Sequence, residues 1–354
     1  MHYKEYVQRL PAYSSSKPAG ASPPDLVNLA ANENPLGPSP LAVAAIMDAA
    51  TGVHRYPDMG AMALRQALAE RVGLELGNVI CANGSDELIM LICLGLLREG
   101  DNVVLSAGTF ISYLVRTMEM GAIPVFVPQR DYAHDLQAMA EAITERTRVV
   151  FVCNPNNPTG TTNGAAEVRA FIERVPEDVL IVVDEAYVEF VDRADYPDLL
   201  ADLRGGRPNL VLLRTFAKIY GLAGLRLGYA YGSEKLISYL DRVRSPFNVN
   251  LLAQVAGVAA LADEDHLRRS RAHTTASRAF YMAELAALGL SPIAGETNFV
   301  AVHVGDDAMV AGALRGRGFA VSPLAVWGLP GMIRISFGTD EQNRGLIAAL
   351  RDVL

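Results

Sequence analysis

Six short apolar runs recur through the middle of the chain: 102–106 (NVVLS), 123–127 (IPVFV), 148–153 (RVVFVC), 179–183 (VLIVV), 209–213 (NLVLL) and 227–231 (LGYAY). Helical patterns lie before and between them, near 60–72, 85–98, 110–120, 135–145 and 165–174. Short runs rich in Val, Ile and Leu read as buried strands. Their alternation with helices calls for a mostly parallel sheet covered on both faces. From 233 to 288 the pattern turns helical, and strands at 298–304 (NFVAVHV) and 332–337 (MIRISF) then bracket a helix at 306–316. That tail reads as a smaller α+β unit. The expected organisation is an N-terminal segment at 1–36, a large domain at 37–265 and a small C-terminal domain at 266–354, which suits a length of 354 residues.

Composition removes several classes of function. A 51% hydrophobic, 20% charged chain describes a globular protein with an ample core. A net charge of −8 argues against nucleic acid or an anionic membrane as partner. No apolar run approaches the roughly 20 residues of a membrane helix, and the start MHYKEYVQRLPAYSSS has no secretory apolar core, so a cytoplasmic location is expected. Cys81, Cys93 and Cys153 lack ligand spacing and sit in apolar contexts, the six histidines show no metal pattern, and no metal is assigned.

In open α/β sheets, ligands sit at the carboxyl ends of the strands. Asp184 ends VLIVV, Lys218 follows NLVLL in RTFAKIYGLAGLRLGYA, and Asn157 follows RVVFVC in NPNNPTG. All three would face one crevice. A lysine against apolar surface has a lowered pKa and can form a Schiff base, although a lysine stem lying along an apolar patch fits the segment equally well. Likewise NGSDE (83–87) is either a plain helix cap or an anion cradle made by the Ser85 and Asp86 amides, with Gly84 permitting close approach.

Together these residues resemble the fold-type I pyridoxal-phosphate aminotransferases, most closely the histidinol-phosphate aminotransferase family, from LAANENPLGPSP (29–40) to RISFGTDEQN (334–343). The resemblance implies that Lys218 forms the Schiff base to pyridoxal 5'-phosphate and shuttles the proton, Asp184 pairs with the ring nitrogen, and Tyr187 and Asn157 bond the phenolic oxygen. It implies a phosphate cup of Gly84, Ser85, Asp86, Thr215 and Arg226, with Phe110 stacked on the ring. It also implies a homodimer in which Tyr56 (HRYPD) reaches the partner's site. Arg334 would clamp the substrate anion, with Asn34 and Tyr13 at the entrance. Ala217 stands where many relatives have serine before the lysine.

The far end of the substrate site departs from the family. Relatives commonly read V-R-P before Y-G-L-P; this chain reads VSPLAVWGLP, with Ser322 and Trp327. PAYSSSKP likewise replaces the usual tyrosine and Pro-Gly pair. A lost phosphate contact costs roughly 2–4 kcal/mol. The expected activity is transfer of the amino group of histidinol phosphate to 2-oxoglutarate. Ser322 and Trp327 keep open an aromatic or broad-specificity amino acid transaminase. A phosphate-recognising lyase such as threonine-phosphate decarboxylase and a non-catalytic binding protein are weaker alternatives.

Overall fold

The computed structural model describes residues 2, 4–8, 10 and 26–354. Its strands, in chain order, are β1 (Val27–Asn28), β2 (Val79–Ala82), β3 (Asn102–Ser106), β4 (Ile123–Val127), β5 (Thr147–Cys153), β6 (Leu180–Asp184), β7 (Leu210–Thr215), β8 (Gly228–Gly232), β9 (Phe299–His303), β10 (Phe319–Ala320), β11 (Ser322–Pro323) and β12 (Met332–Ser336). Seven form one sheet in the order β2-β8-β7-β6-β5-β3-β4. The pairs from β4 to β7 are parallel, whereas β8 runs antiparallel to both its neighbours. The fold is thus α/β with a mostly parallel, mixed sheet.

Alternation along each strand explains the core. Val150, Val152, Ile181, Val183 and Leu212 bury into one cluster, while Val149, Phe151, Val182, Val211 and Leu213 bury into another on the opposite face. Each such side chain contributes roughly 1.5–3 kcal/mol by leaving water. The edge strand β4 is the exception to two-sided cover: Ile123 and Phe126 are exposed. The strands β11-β12-β9 make a separate antiparallel sheet, and β1 pairs with β10. The helix Glu264–Ala287 spans the two cores, with Leu267 in the large cluster and Tyr281 and Leu285 in the small one.

Some elements go beyond the periodicity. The helix Pro40–Ala49 lies just past the Pro- and Ser-rich start; Ser39 caps it and proline occupies its first turn. The four-residue β2 is too short to show a period. The helix Asp340–Arg351 opens on a capping box from Thr339 to Gln342. Conversely, the helix expected at 135–145 is only Leu136–Glu141.

Candidate active site

Asp184 closes β6 and Thr215 closes β7, so the parallel strands deliver both side chains to one end of the sheet. There a cavity of about 250 Å³ gathers Gly84, Ser85, Asp86, Phe110, Asn157, Asp184, Tyr187, Thr215, Lys218, Arg226, Trp327 and Arg334. These twelve positions, read from scattered motifs, converge on one site.

Lys218 follows β7 in a loop bent back by Leu222 N–H donating to the Phe216 carbonyl. Its Nζ donates to the Ala31 carbonyl at 3.2 Å and lies 5.7 Å from the centre of the Tyr187 ring. Enclosure by protein pulls its pKa from 10.5 to about 8, and the nearby Arg334 and Arg226 cations pull the same way, against Glu33 and Asp184. A neutral amine is therefore accessible near neutral pH.

Asp184 is 3% exposed. Burial pushes its carboxyl to about 6, against hydrogen bonds from the Tyr113 hydroxyl (2.8 Å, to Oδ2) and the Ala186 amide (3.1 Å, to Oδ1). A carboxylate so desolvated has strong reason to accept a cationic partner. Tyr187 is buried and its hydroxyl accepts from Asn32 Nδ2 at 2.9 Å. Burial raises the phenol.

The helix Gly84–Leu96 begins at the cavity, whose wall includes its first three residues, Gly84, Ser85 and Asp86. Gly84 adopts φ +78°, and a Cβ there would lie 2.7 Å from Arg226 Nη2. A Cβ on Gly228 would fall 2.5 Å from the Gly84 carbonyl carbon and the Ser85 nitrogen. The helix start is seated on β8 with no room for a side chain, leaving a cradle of amides, Thr215 and one arginine. The Asp86 carboxylate meets Arg116 through Oδ2 at 2.5 Å, and its Oδ1 is buried without a partner. This arrangement fits a phosphate, and the buried acid, the low-pKa amine and the Phe110 ring fit the remainder of a phosphorylated pyridine aldehyde.

Arg334, on β12, is 5% exposed. Its Nη1 donates to Asn157 Oδ1 (2.5 Å) and Nη2 to the Ala30 carbonyl (2.6 Å). The Phe299 and Trp327 rings lie 5.3 and 5.6 Å from its guanidinium carbon. Its Nε is buried with no partner. Among the described residues no carboxylate forms an ion pair with it, and burial lowers its pKa. Such a cation is stable only with an anion to meet.

Other expected residues fall elsewhere. Asn34 does not line the cavity: its Nδ2 donates to the Ile219 carbonyl and Ser270 Oγ, and its Oδ1 accepts from the Leu36 amide. The loop needs all of its polar atoms. Asn32, two residues earlier, is the cavity residue. Ser322 lies outside the cavity wall, directly across the β11–β12 ladder from Arg334. Tyr56 is 83% exposed and stacks on Phe247 at 4.6 Å, away from its own chain's cavity. Tyr13 lies outside the described residues. Motif reading missed Tyr113, three positions after Phe110 on the same helix face, because a fully buried tyrosine in an apolar pattern looks like core.

The family model for aminotransferase class I and II matches residues 24–350. The histidinol-phosphate aminotransferase of Moorella thermoacetica is 44% identical over 352 residues, 99% of this chain and 91% of that protein. That of Akkermansia muciniphila is 45% identical over 358 residues, covering 99% and 98%. The crystal structure of the Sinorhizobium meliloti histidinol-phosphate aminotransferase in complex with pyridoxal-5'-phosphate superposes with a TM-score of 0.85 at 33% identity, covering 92% of this chain and 90% of that one. Thermus thermophilus aspartate aminotransferase with maleate gives 0.83 at 26% identity, covering 93% and 92%.

Proposed function

This chain belongs to the class I and II aminotransferases, nearest within them to the histidinol-phosphate enzymes, and from that premise we propose that it moves the amino group of histidinol phosphate to 2-oxoglutarate. Transaminases of this family work with pyridoxal 5'-phosphate. Lys218 Nζ would hold that cofactor covalently, Asp184 its ring nitrogen, and Tyr187 and Asn157 its phenolic oxygen. The Ser85 and Asp86 amides, Thr215 and Arg226 would hold its phosphate, with Phe110 over the ring. When bound, the cofactor supplies an electron sink that makes the donor's α-proton acidic.

The chain's own groups do the rest. Asp184, enclosed and oriented by Tyr113, keeps a negative charge facing the ring nitrogen. Lys218, the only lysine among the described cavity residues, takes the α-proton as a neutral amine and returns it as an ammonium. Tyr187, its hydroxyl fixed by Asn32, keeps its ring beside Lys218 Nζ. Arg334 sets the donor's orientation by meeting its anionic end.

The observation carrying the substrate reading is Arg334: buried, braced by Asn157 and the Ala30 carbonyl, and left with a free Nε. It supports a donor that carries an anion, which in histidinol phosphate is the phosphate. Comparing kcat/KM for histidinol phosphate and for histidinol tests this. Loss of about 30- to 800-fold without the phosphate is expected, equivalent to about 2–4 kcal/mol; equal values would refute the reading. Trp327 favours a second reading, in which phenylalanine or tyrosine is the donor, because its indole lies beside both Phe110 (6.3 Å between centroids) and Arg334. A higher kcat/KM for phenylalanine than for histidinol phosphate would select it.

We place the enzyme in the cytoplasm as a homodimer. The exposed Tyr56–Phe247 stack, with Met47, Val53 and Met59 exposed nearby in sequence, supports a partner surface there. Sedimentation gives the assembly; Tyr56→Phe should weaken cofactor binding several-fold if that hydroxyl reaches the partner's phosphate.

A further inference from the structure

The strand alternation that sends Asp184 and Thr215 into the cavity sends their chain neighbours, Glu185 and Arg214, to the opposite face of the sheet. There Arg214 Nε donates to Glu185 Oε2 at 2.8 Å, and Arg214 Nη2 lies 2.8 Å from the same oxygen. The Glu185 side chain is 2% exposed and the Arg214 side chain 15%. Glu185 N–H also donates to the Leu213 carbonyl at 2.8 Å, carrying the β6–β7 ladder one residue beyond the strand end. Two adjacent strand ends are thus bound by a backbone bond and a two-pronged ion pair. One of these strands carries the acid for the cofactor ring, and the other leads to the lysine.

A buried ion pair is weak evidence of stabilisation, since desolvation of both charges offsets their attraction. Its placement here has another consequence. A lone Glu185 carboxylate, one residue from Asp184, would oppose ionisation of Asp184. Arg214 is the cation paired with that carboxylate. The other groups facing Asp184 are Tyr113, Cys153, Tyr187 and Lys218. Those facing the pair are Glu189, Asp198, Tyr196, Tyr220, Tyr229 and Tyr231. Among these, Arg214 alone bonds to Glu185.

We propose that Glu185 and Arg214 form a positioning pair: Arg214 neutralises Glu185 so that Asp184 stays ionised against the cofactor ring, while the pair fixes the spacing of the two strand ends. The proposal rests on the cofactor reading above. Charge cancellation gives it a signature that simple bracing lacks, because removing the two partners should move Asp184 in opposite directions.

The test is equilibrium binding of pyridoxal 5'-phosphate to cofactor-free protein across pH 4.5–9, with thermal unfolding recorded in parallel. Wild-type affinity should weaken below about pH 6, where Asp184 gains its proton. In Arg214→Met that break should rise by about one pH unit, and in Glu185→Gln it should fall. The double variant, which removes both charges, and Arg214→Lys, which keeps the cation, should both return close to the wild-type break. If all variants break at the wild-type pH and differ only in melting temperature, the pair is a structural brace and the proposal fails. The same holds if the double variant matches Arg214→Met. If Arg214→Met does not fold, Glu185→Gln and the double variant decide by the same rule. Wild-type protein with no pH-dependent affinity at all would instead sink the underlying cofactor reading.

Discussion

The two ends of the cavity are built differently. The cofactor end consists of strand termini and a helix start whose positions follow from the sheet: Asp184 on β6, Thr215 on β7, and Ser85 on a helix pressed against Gly228 of β8. The substrate end consists of one arginine on the small sheet, two aromatic rings and the 325–328 turn. The first end is fixed by backbone packing that tolerates not even a methyl group. The second depends on side chains, among them Trp327 in a turn that has no buried residue. Under the proposed function, the rigid end would set the chemistry and the replaceable one the donor choice.

The most severe break of that division is at the rigid end. Lys218→Ala should lower turnover by about 10⁴-fold or more while the melting temperature stays near that of the wild type. Appreciable remaining turnover would remove Lys218 from the chemistry. Arg334→Gln attacks the other end: KM for histidinol phosphate should rise by about 30- to 800-fold with kcat changed far less. A fall in kcat at unchanged KM would mean that Arg334 acts in the chemical step instead.

Gly228→Ala tests backbone packing directly. The added methyl must displace the Ser85 amide, so cofactor affinity should drop by about tenfold or more, and unchanged affinity would contradict the cradle. A gentler test uses pH. Because the Lys218 pKa is lowered from 10.5 to about 8, its reactive neutral form is half populated near pH 8 and nearly complete about one unit higher. Capture of added cofactor by the apo-protein should therefore accelerate through about pH 8 and level off near about pH 9. Acceleration continuing to pH 10 would place Lys218 at its ordinary value. Smallest of all, Ser322→Arg should lower KM for histidinol phosphate by up to about tenfold, since residue 322 lies directly across the ladder from Arg334; an unchanged KM would refute the missing-arginine account.

The rigid end was also the more legible in sequence. Strands β3 and β4 and the helix Ala165–Arg174 coincide with the apolar runs and helical pattern, and Asp184, Lys218 and Asn157 reach one crevice because strand ends dictate it. Less legible were residues whose role depends on side-chain direction. Asn32 and Asn34 share one motif, yet only the first faces the cavity, because the second is consumed by its loop and by Ser270. Tyr113 reads as core, and it is core on every side except the one touching Asp184. β2 offers four apolar residues and no period. Spacing shows which residues share an element, whereas these hydrogen bonds are set by tertiary packing.

The most direct test of the central claim is single-turnover conversion of the bound cofactor to its amino form, followed by absorbance with histidinol phosphate, histidine, phenylalanine, tyrosine and aspartate in turn. Fast conversion by histidinol phosphate, with the other donors at least about tenfold slower, is the predicted result and would mean that Arg334 suffices for phosphate recognition. Fast conversion by phenylalanine or tyrosine, with histidinol phosphate slow, would contradict it and show that Trp327 has redirected the replaceable end of the site.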